Sequence, residues 1–304
     1  MKYLIIGAGG VGGPIGAYLA RAGFDVTLIA RGEHLRVMQQ DGLTIETAKD
    51  GTWNAAVKAF DMEHYDDVPD VVFVCVKGYS LDDTVPFLQR ICKKHTVVIP
   101  LLNIYGTGRR LQAVLPENPV TDGCIYISAN RKAPGVIFMH GTIFRVVYGM
   151  PDHRTDDPVL TQVRDDLLAA RIRPEYSDNI ERDALKKFSY VSPAAGCGLY
   201  YGADAGPMQH PGKERDLFAQ LMDEIETLAG AMGIHYEERL ADVNLRILDK
   251  LSPTASTSMQ RDIAIGHTSE IDGLIYEVVR MADKYGLDLP GYRKIAQEFR
   301  ARGL

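Results

Sequence analysis

The sequence predicts an α/β amino-terminal domain of Rossmann type followed by an all-α carboxyl-terminal domain. Three observations carry this expectation. An apolar run, Tyr3-Leu4-Ile5-Ile6, leads directly into Gly-Ala-Gly-Gly-Val-Gly at Gly7–Gly12. Apolar runs of strand length then alternate with segments of helical composition. Beyond about residue 179 the strand-like runs stop and helical spacing takes over, which divides the chain into domains 1–179 and 180–304.

The glycine stretch has the setting a dinucleotide fingerprint requires, between a strand and a helix from Val11 to Ala22. Gly7 permits the tight turn, Gly9 lets backbone approach a pyrophosphate, and Gly12 lets helix and strand pack closely. Ala8, Gly10 and Val11 complete the loop, whose amide hydrogens face the phosphates at the helix start. The bland alternative is a glycine-rich turn in another α/β protein.

Asp25–Ile29 is the next strand, and it ends in Ala30-Arg31 rather than in a carboxylate. A guanidinium at that place meets a 2′-phosphate with charge-assisted bonds, which favours NADP(H) over NAD(H). Glu33 lies close enough to contest this, and Arg31 can also be read as a solvated loop residue. Glu33–Gln40 reads as a short helix, and Leu43–Glu46 and Asn54–Phe60 as extra strands. Val71–Val76 is a continuous apolar run, as expected of a central parallel strand, with Lys77 at its carboxyl end. A helix over Leu81–Lys93 and a strand over Thr96–Pro100 follow, the strand leading to Leu101-Leu102-Asn103. Ligands of open α/β sheets bind beyond the carboxyl ends of strands, so Lys77 and Asn103 are candidate binding residues. Val120–Ser128, Gly135–His140 and Thr142–Tyr148 read as β segments, with turns at Pro134-Gly135 and Gly141. Asp156–Ala170 reads as a helix and Ile172–Tyr176 as a last strand.

In the second half, Asp178 with Glu181 three residues on has the form of a capping box. The helix it opens runs through Lys186, Lys187 and Phe188, with a kink expected at Pro193. Leu217, Leu221, Ile225 and Leu228 form one buried stripe. Ile271, Leu274, Ile275, Val278, Ala282 and Tyr285 form another, stopped by Gly286.

The bulk composition excludes several classes of function. A formal net charge of −6 gives no reason to expect nucleic acid or an anionic membrane as partner. No apolar run reaches the length of a membrane span, and six glycines among residues 7–16 make a poor signal-peptide core, so a cytoplasmic location is expected. The four cysteines are widely spaced without a CxxC pair and read as buried thiols. The eight histidines show no metal-ligand spacing, and no metal is expected. No Tyr-x-x-x-Lys occurs, which disfavours short-chain dehydrogenase chemistry.

Over essentially its whole length the chain resembles the ketopantoate reductase (2-dehydropantoate 2-reductase) family. The resemblance rests on Gly7–Gly12, Ala-Arg-Gly-Glu-His-Leu at 30–35, Val-Lys-Gly-Tyr at 76–79 and Leu-Leu-Asn at 101–103. It rests further on Ser-Met-Gln-Arg-Asp at 258–262 and His-Thr-Ser-Glu-Ile-Asp at 267–272, which place Ser258 twelve residues before Glu270. It implies NADPH-dependent reduction of 2-dehydropantoate to (R)-pantoate, on the route to pantothenate and coenzyme A. It implies that Lys187 is the general acid, with Lys186 the competitor in a one-residue slip. An ammonium there stabilises the negative charge that grows on the ketone oxygen and can donate the proton. It also implies that Glu270 contacts the substrate hydroxyl and orients the lysine, that Ser258 binds the substrate carboxylate, and that Asn103 contacts substrate beside the nicotinamide. Lys77 becomes a cofactor-side lysine. The bland readings are a helix-terminal carboxylate for Glu270 and an N-cap for Ser258.

The chain also departs from that pattern. Val191 and Ala195 stand where the family often has asparagines four and eight residues after the lysine, and Ala255 stands where another is often found. Ser189, Tyr190, Ser192, Tyr200, Tyr201 or waters are the polar groups that could compensate. Losing a hydrogen-bonding group changes specificity strongly. Reduction of another branched 2-oxo acid, or chemistry like that of the β-hydroxyacid dehydrogenases, therefore stays open, as does a non-catalytic NADP(H) sensor. A small 2-oxo acid is the expected partner, in a cleft between the domains, and a homodimer is possible.

Overall fold

Strand β1 (Lys2–Ile6) is apolar on both faces because both faces are covered. Tyr3 and Ile5 enter one core, and Leu4 and Ile6 enter a second. The computed structural model describes residues 1–48 and 51–304. After β1 come α1 (Gly12–Arg21), β2 (Asp25–Ile29), α2 (Gly32–Asp41), β3 (Leu43–Thr47), β4 (Gly51–Ala55) and β5 (Lys58–Phe60). There follow β6 (Val71–Val74), α3 (Val85–Ile91), β7 (Val97–Pro100), α4 (Thr107–Val114), β8 (Asp122–Ala133), β9 (Val136–Gly149), α5 (Pro158–Ala169) and β10 (Arg173–Tyr176).

Five of these strands form a parallel sheet in the order β5-β2-β1-β6-β7. A second sheet has the order β10-β9-β3-β4, with β8 paired antiparallel to β9. One core joins the inner face of the parallel sheet to α1, α5 and the second sheet through residues such as Ile15, Ile45, Val146 and Leu160. The other face is covered by Leu88 and Ile91 of α3 and Leu111 of α4. This is a Rossmann-type α/β domain.

Several expected elements differ. Asn54–Phe60 is not one strand: Ala55 ends β4 in the second sheet, while Lys58–Phe60 pairs with β2 in the first. The helix expected over Leu81–Lys93 begins as a 3-10 turn, Asp82–Thr84, itself preceded by another at Gly78–Ser80, and continues as α3. Pro86, which cannot donate a helical hydrogen bond, stands in the first turn of α3. Gly141 makes no turn. Strand β9 runs through it, and residues 140–143 bulge opposite Ser128, between the pairs Ala129↔Met139 and Ile127↔Phe144.

The described residues separate into two compact units, Met1–Leu102 with Gly106–Ala184, and Asn103–Tyr105 with Leu185–Leu304. Helix α6 (Ile180–Tyr201) begins in the first and continues in the second. Its cap is Asn179, whose Oδ1 accepts from the Arg182 amide at 3.1 Å, and not Asp178, which instead pairs with the Arg182 guanidinium at 3.6 Å. Pro193 does not end α6: burial of Ala194, Ala195 and Cys197 in the helical core carries it past the missing hydrogen bond.

The rest of the second unit is α7 (Ala205–Met208), α8 (Lys213–Ala231), α9 (Leu240–Leu248), α10 (Ser258–Ala264), α11 (Glu277–Lys284) and α12 (Pro290–Ala301). Both apolar stripes are buried in one core, except that Tyr285 lies beyond α11 and is exposed. Before α11, Asp272–Tyr276 forms a π-helical turn. Ser192 donates to the Leu274 carbonyl in that turn at 2.6 Å. Because Ser192 has a single proton, the Tyr292 hydroxyl, also 2.6 Å away, is the donor in their mutual bond.

Candidate active site

The parallel register aligns Ile6 with Ile29 and Val74, and Val74 with Pro100. The segments after β1, β2, β6 and β7 therefore leave one edge of the sheet. Strand order reverses beside β1, with β2 and β5 to one side and β6 and β7 to the other. That is the switch point where such sheets bind ligands.

The glycine loop occupies this edge. Gly7 has φ +97°, and a Cβ on it would meet the Cys75 carbonyl oxygen at 2.9 Å. A Cβ on Gly12 would lie 2.2 Å from the Gly7 carbonyl oxygen and 2.7 Å from Ile5 Cγ2, so only glycine lets α1 start against β1. Gly9 faces open space, with nothing within 4 Å of such a Cβ. Gly10 is held against the Ala129 carbonyl of β8. Among the described residues, none accepts a hydrogen bond from the amides of Gly9, Gly10, Val11 or Gly12. An open face with unbonded amides at a helix start fits the pyrophosphate of a dinucleotide.

Arg31 follows β2, exposed and in extended conformation just before α2. Glu33, two residues on, is taken up by Arg36, whose Nε and Nη2 grip its carboxylate at 2.8 and 2.5 Å. That grip holds the Glu33 carboxyl below its usual range. Lys77 stands three residues beyond β6, half-buried, just before the Gly78–Ser80 turn.

The second unit assembles a different group. Lys187 Nζ donates to Asn103 Oδ1 at 2.7 Å. Lysine only donates, so the Asn103 oxygen must face it. Lys186 is exposed, whereas Lys187 is half-buried and followed by buried Phe188, on which Tyr105 packs with ring centroids 6.2 Å apart. Ile104, between Asn103 and Tyr105, seats against Gly273, where a Cβ would lie 2.3 Å from Ile104 Cδ1. Gly273 is three residues past Glu270, which is 4 % exposed and whose carbonyl accepts from the Leu274 amide at 3.0 Å. The segment 103–105 thus touches both the lysine helix and the stretch that carries Glu270.

Ser258 is half-buried at the first position of α10, and the cap is the preceding Thr257, not Ser258. Thr257 and Gln260 form a capping box, and Gln260 Nε2 reaches the Ala203 carbonyl at 2.9 Å. The structure thus joins Lys187 with Asn103 directly and Glu270 with them through Ile104. Among the described residues, no such link is seen for Ser258.

The family described as ketopantoate reductase PanE/ApbA matches residues 3–153, and its carboxyl-terminal counterpart matches residues 179–303. The chain belongs to the ketopantoate reductase family. Among its relatives, an uncharacterized oxidoreductase of Bacillus subtilis, YkpB, is 27% identical over 95% of both chains. The 2-dehydropantoate 2-reductase of Aquifex aeolicus is 24% identical over 100% of this chain and 97% of its own. A PanE/ApbA family ketopantoate reductase from Ralstonia eutropha superimposes with a TM-score of 0.89 at 26% identity, covering 99% and 98% of the two chains. Two structures share the fold at lower identity. A dimeric ketopantoate reductase of Staphylococcus aureus has a TM-score of 0.83 at 24%, and D-mandelate dehydrogenase with NADH and anilino(oxo)acetate has 0.87 at 21%. Both cover 99% of this chain and 98% of their own. The protein is thus a dinucleotide-binding oxidoreductase of this family.

Within this family frame, the three alanine and valine positions are apolar in their surroundings too. Ala195 is fully buried, and Val191 and Ala255 pack half-buried against the helical core. Two of the polar residues that could have compensated are engaged elsewhere. Ser189 donates to the Lys186 carbonyl at 2.7 Å and accepts from Asn244, and Ser192 is committed to Leu274 and Tyr292. Tyr200 and Tyr201 lie against Arg302, Lys294 and Lys213.

Sequence reasoning assigned no role to His34, Ile104 or Gly273. His34 lies within Ala-Arg-Gly-Glu-His-Leu at 30–35, and Gly273 lies inside an apolar stripe, where a glycine signals close approach. All four cysteines are buried free thiols. Among the described residues, no helix is long and apolar enough to cross a membrane, and no cluster of His, Cys, Asp and Glu could hold a metal ion.

Proposed function

We propose that the protein is an NADPH-dependent reductase of 2-oxo acids that converts 2-dehydropantoate to (R)-pantoate, serving pantothenate and coenzyme A synthesis. The observation that carries this is the Lys187–Asn103 pair: a half-buried ammonium aimed by a side-chain oxygen at 2.7 Å. The amides of Gly9–Gly12 would hold the pyrophosphate, with Arg31 on the 2′-phosphate and Lys77 nearby. When bound, the reduced nicotinamide supplies the hydride that reduces the ketone carbon. Lys187 stabilises the charge growing on the ketone oxygen and donates the proton to it. Asn103 holds the lysine head, Glu270 takes the substrate hydroxyl, and Ser258 takes the carboxylate. Arg31 favours NADPH because its neighbouring carboxylate is already gripped by Arg36. The dimeric state described for the Staphylococcus aureus protein supports a homodimer here, which sedimentation would test.

NADPH consumption on addition of 2-dehydropantoate tests the reading. Turnover that falls steeply in Lys187→Ala supports it, and unchanged turnover in that variant rejects Lys187 as the acid.

A second reading keeps the chemistry and changes the acid. Val191 and Ala195 follow Lys187 at intervals of four along one face of α6, and neither carries a hydrogen-bonding group. With Ala195 closed into the helical core, the half-buried Val191 beside Lys187 suits a 2-oxo acid with an apolar side chain better than one with a hydroxyl. A panel of 2-oxo acids ranked by kcat/KM decides between the two, and a wide margin for 2-dehydropantoate removes the second.

A further inference from the structure

The imidazole of His34 lies buried on α2, 5 % exposed, between two backbone groups from other parts of the first unit. Its Nε2 is 2.8 Å from the Ala8 carbonyl oxygen, and its Nδ1 is 2.8 Å from the Gly135 amide nitrogen. An amide can only donate, so Nδ1 must be unprotonated. Nε2 then carries the hydrogen and donates it to Ala8. The two contacts together select one neutral tautomer.

Ala8 is the second residue of the glycine loop. Its carbonyl shares a planar trans peptide with the Gly9 amide, so the two groups point in opposite directions. Drawing the carbonyl inward to His34 turns the Gly9 N–H outward, on the side where Gly9 has open space. The same imidazole ties the loop to the turn between β8 and β9. That hairpin already meets the loop where Gly10 contacts the Ala129 carbonyl and Gly13 contacts Ile137.

We infer that His34 is a positioning residue for the dinucleotide: its neutral imidazole, donating to Ala8 and accepting from Gly135, aims the Gly9 amide at the phosphates. This rests on the proposal that the loop binds a nicotinamide dinucleotide. Protonation of Nδ1 would set two donors against each other at Gly135 and release one end of the tether. Cofactor affinity is therefore full while His34 is neutral and falls once acid protonates it. Burial holds the imidazole below its ordinary value, and the Arg131 charge on β8 pushes the same way, while the Ala8 carbonyl opposes both. The glycine loop brings no titratable side chain to it, and on α2 the exposed Glu33 and Arg36 engage each other.

Equilibrium titration of the full-length protein with NADPH and with NADH, from about pH 7.5 down to about pH 4.5, low enough to protonate a depressed imidazole, tests this. His34→Gln keeps a donor and an acceptor on one planar group that does not titrate. His34→Leu keeps neither. At the upper pH, His34→Leu should bind either dinucleotide about tenfold more weakly, and His34→Gln should stay near the parent. On acidification the parent should lose more affinity than His34→Gln for both ligands. NADH has no 2′-phosphate, so its titration isolates the protein's contribution. Thermal melting at each pH checks that all three proteins remain folded. Identical pH profiles for the parent and His34→Gln overturn the inference, as does parental affinity in folded His34→Leu. If the parent binds neither dinucleotide at any pH, the cofactor reading itself is rejected, and the inference with it.

Discussion

Between Gly7 and Gly12 the protein presents backbone, while around Lys187 it presents side chains gathered from separate stretches of chain. The first arrangement is made by leaving atoms out: Gly12 has no Cβ so that α1 can touch β1, and Gly9 has none and faces open space. The second is made by holding atoms in place. Asn103 fixes Lys187, Ile104 seats on Gly273, and Ser192 takes up a carbonyl of the π turn. Missing side chains leave a spacing that can be read directly from a sequence. Assembled side chains leave only isolated polar letters.

The largest effect should come from the assembled site. Lys187→Ala should lower kcat by about a hundredfold to ten-thousandfold while NADPH affinity, measured by fluorescence titration, stays within about threefold of the parent. Equal losses in cofactor binding and in kcat would erase the division of labour drawn here.

Next come two changes of the same chemical size in the cradle. Gly12→Ala must displace the Gly7 carbonyl, only 2.2 Å from the new methyl, and should cost about 1–3 kcal/mol of stability in denaturant unfolding. Gly9→Ala meets no protein atom and should unfold at the parental denaturant concentration while binding dinucleotide about tenfold more weakly. If both variants lose stability alike, Gly9 is a packing glycine and the open face is not a ligand face. Arg31→Ala refines the cradle further. It should weaken NADPH by about tenfold and leave NADH unchanged, with the difference shrinking as salt is raised.

The same contrast explains which parts of the molecule were legible. Strands β1, β2, β6 and β7 are buried on both faces, and so they read as unbroken apolar runs. The second sheet is harder. Between Ala55 and Lys58 the chain leaves one sheet for the other within two residues, and no local pattern marks that crossing. Gly141 resembles a turn residue, but pairing with β8 on both sides keeps it within β9 as part of a bulge. Asn179 rather than Asp178 caps α6 because the first helical residue, Ile180, is drawn into the core beside Cys124 and Val147. In the second unit the long stripes were plain. Lys187 itself could be separated from Lys186 only through the family resemblance. Its distinguishing features, partial burial and the Asn103 contact, depend on a residue 84 positions away in the chain. His34 was invisible for a related reason: its partners, Ala8 and Gly135, are main-chain groups whose identities carry no signal.

The smallest effect should sharpen the view of how the assembled site is held. Thr257 caps α10 through the Gln260 amide at 3.3 Å, and Gln260 answers by accepting from the Thr257 amide at 3.0 Å. Gln260 also reaches the Ala203 carbonyl just past α6 and lies against Gly198 within it. Ser258 sits between these anchors, so its position depends on the box. Thr257→Ala should therefore cost about 1 kcal/mol of stability and let the first turn of α10 fray. If Ser258 meets the substrate carboxylate, the oxo-acid KM should rise about threefold with kcat and NADPH affinity unchanged. A KM that does not move, despite the measured loss of stability, would take Ser258 out of the binding site and leave recognition of the acid to the Lys187–Asn103 pair and Glu270.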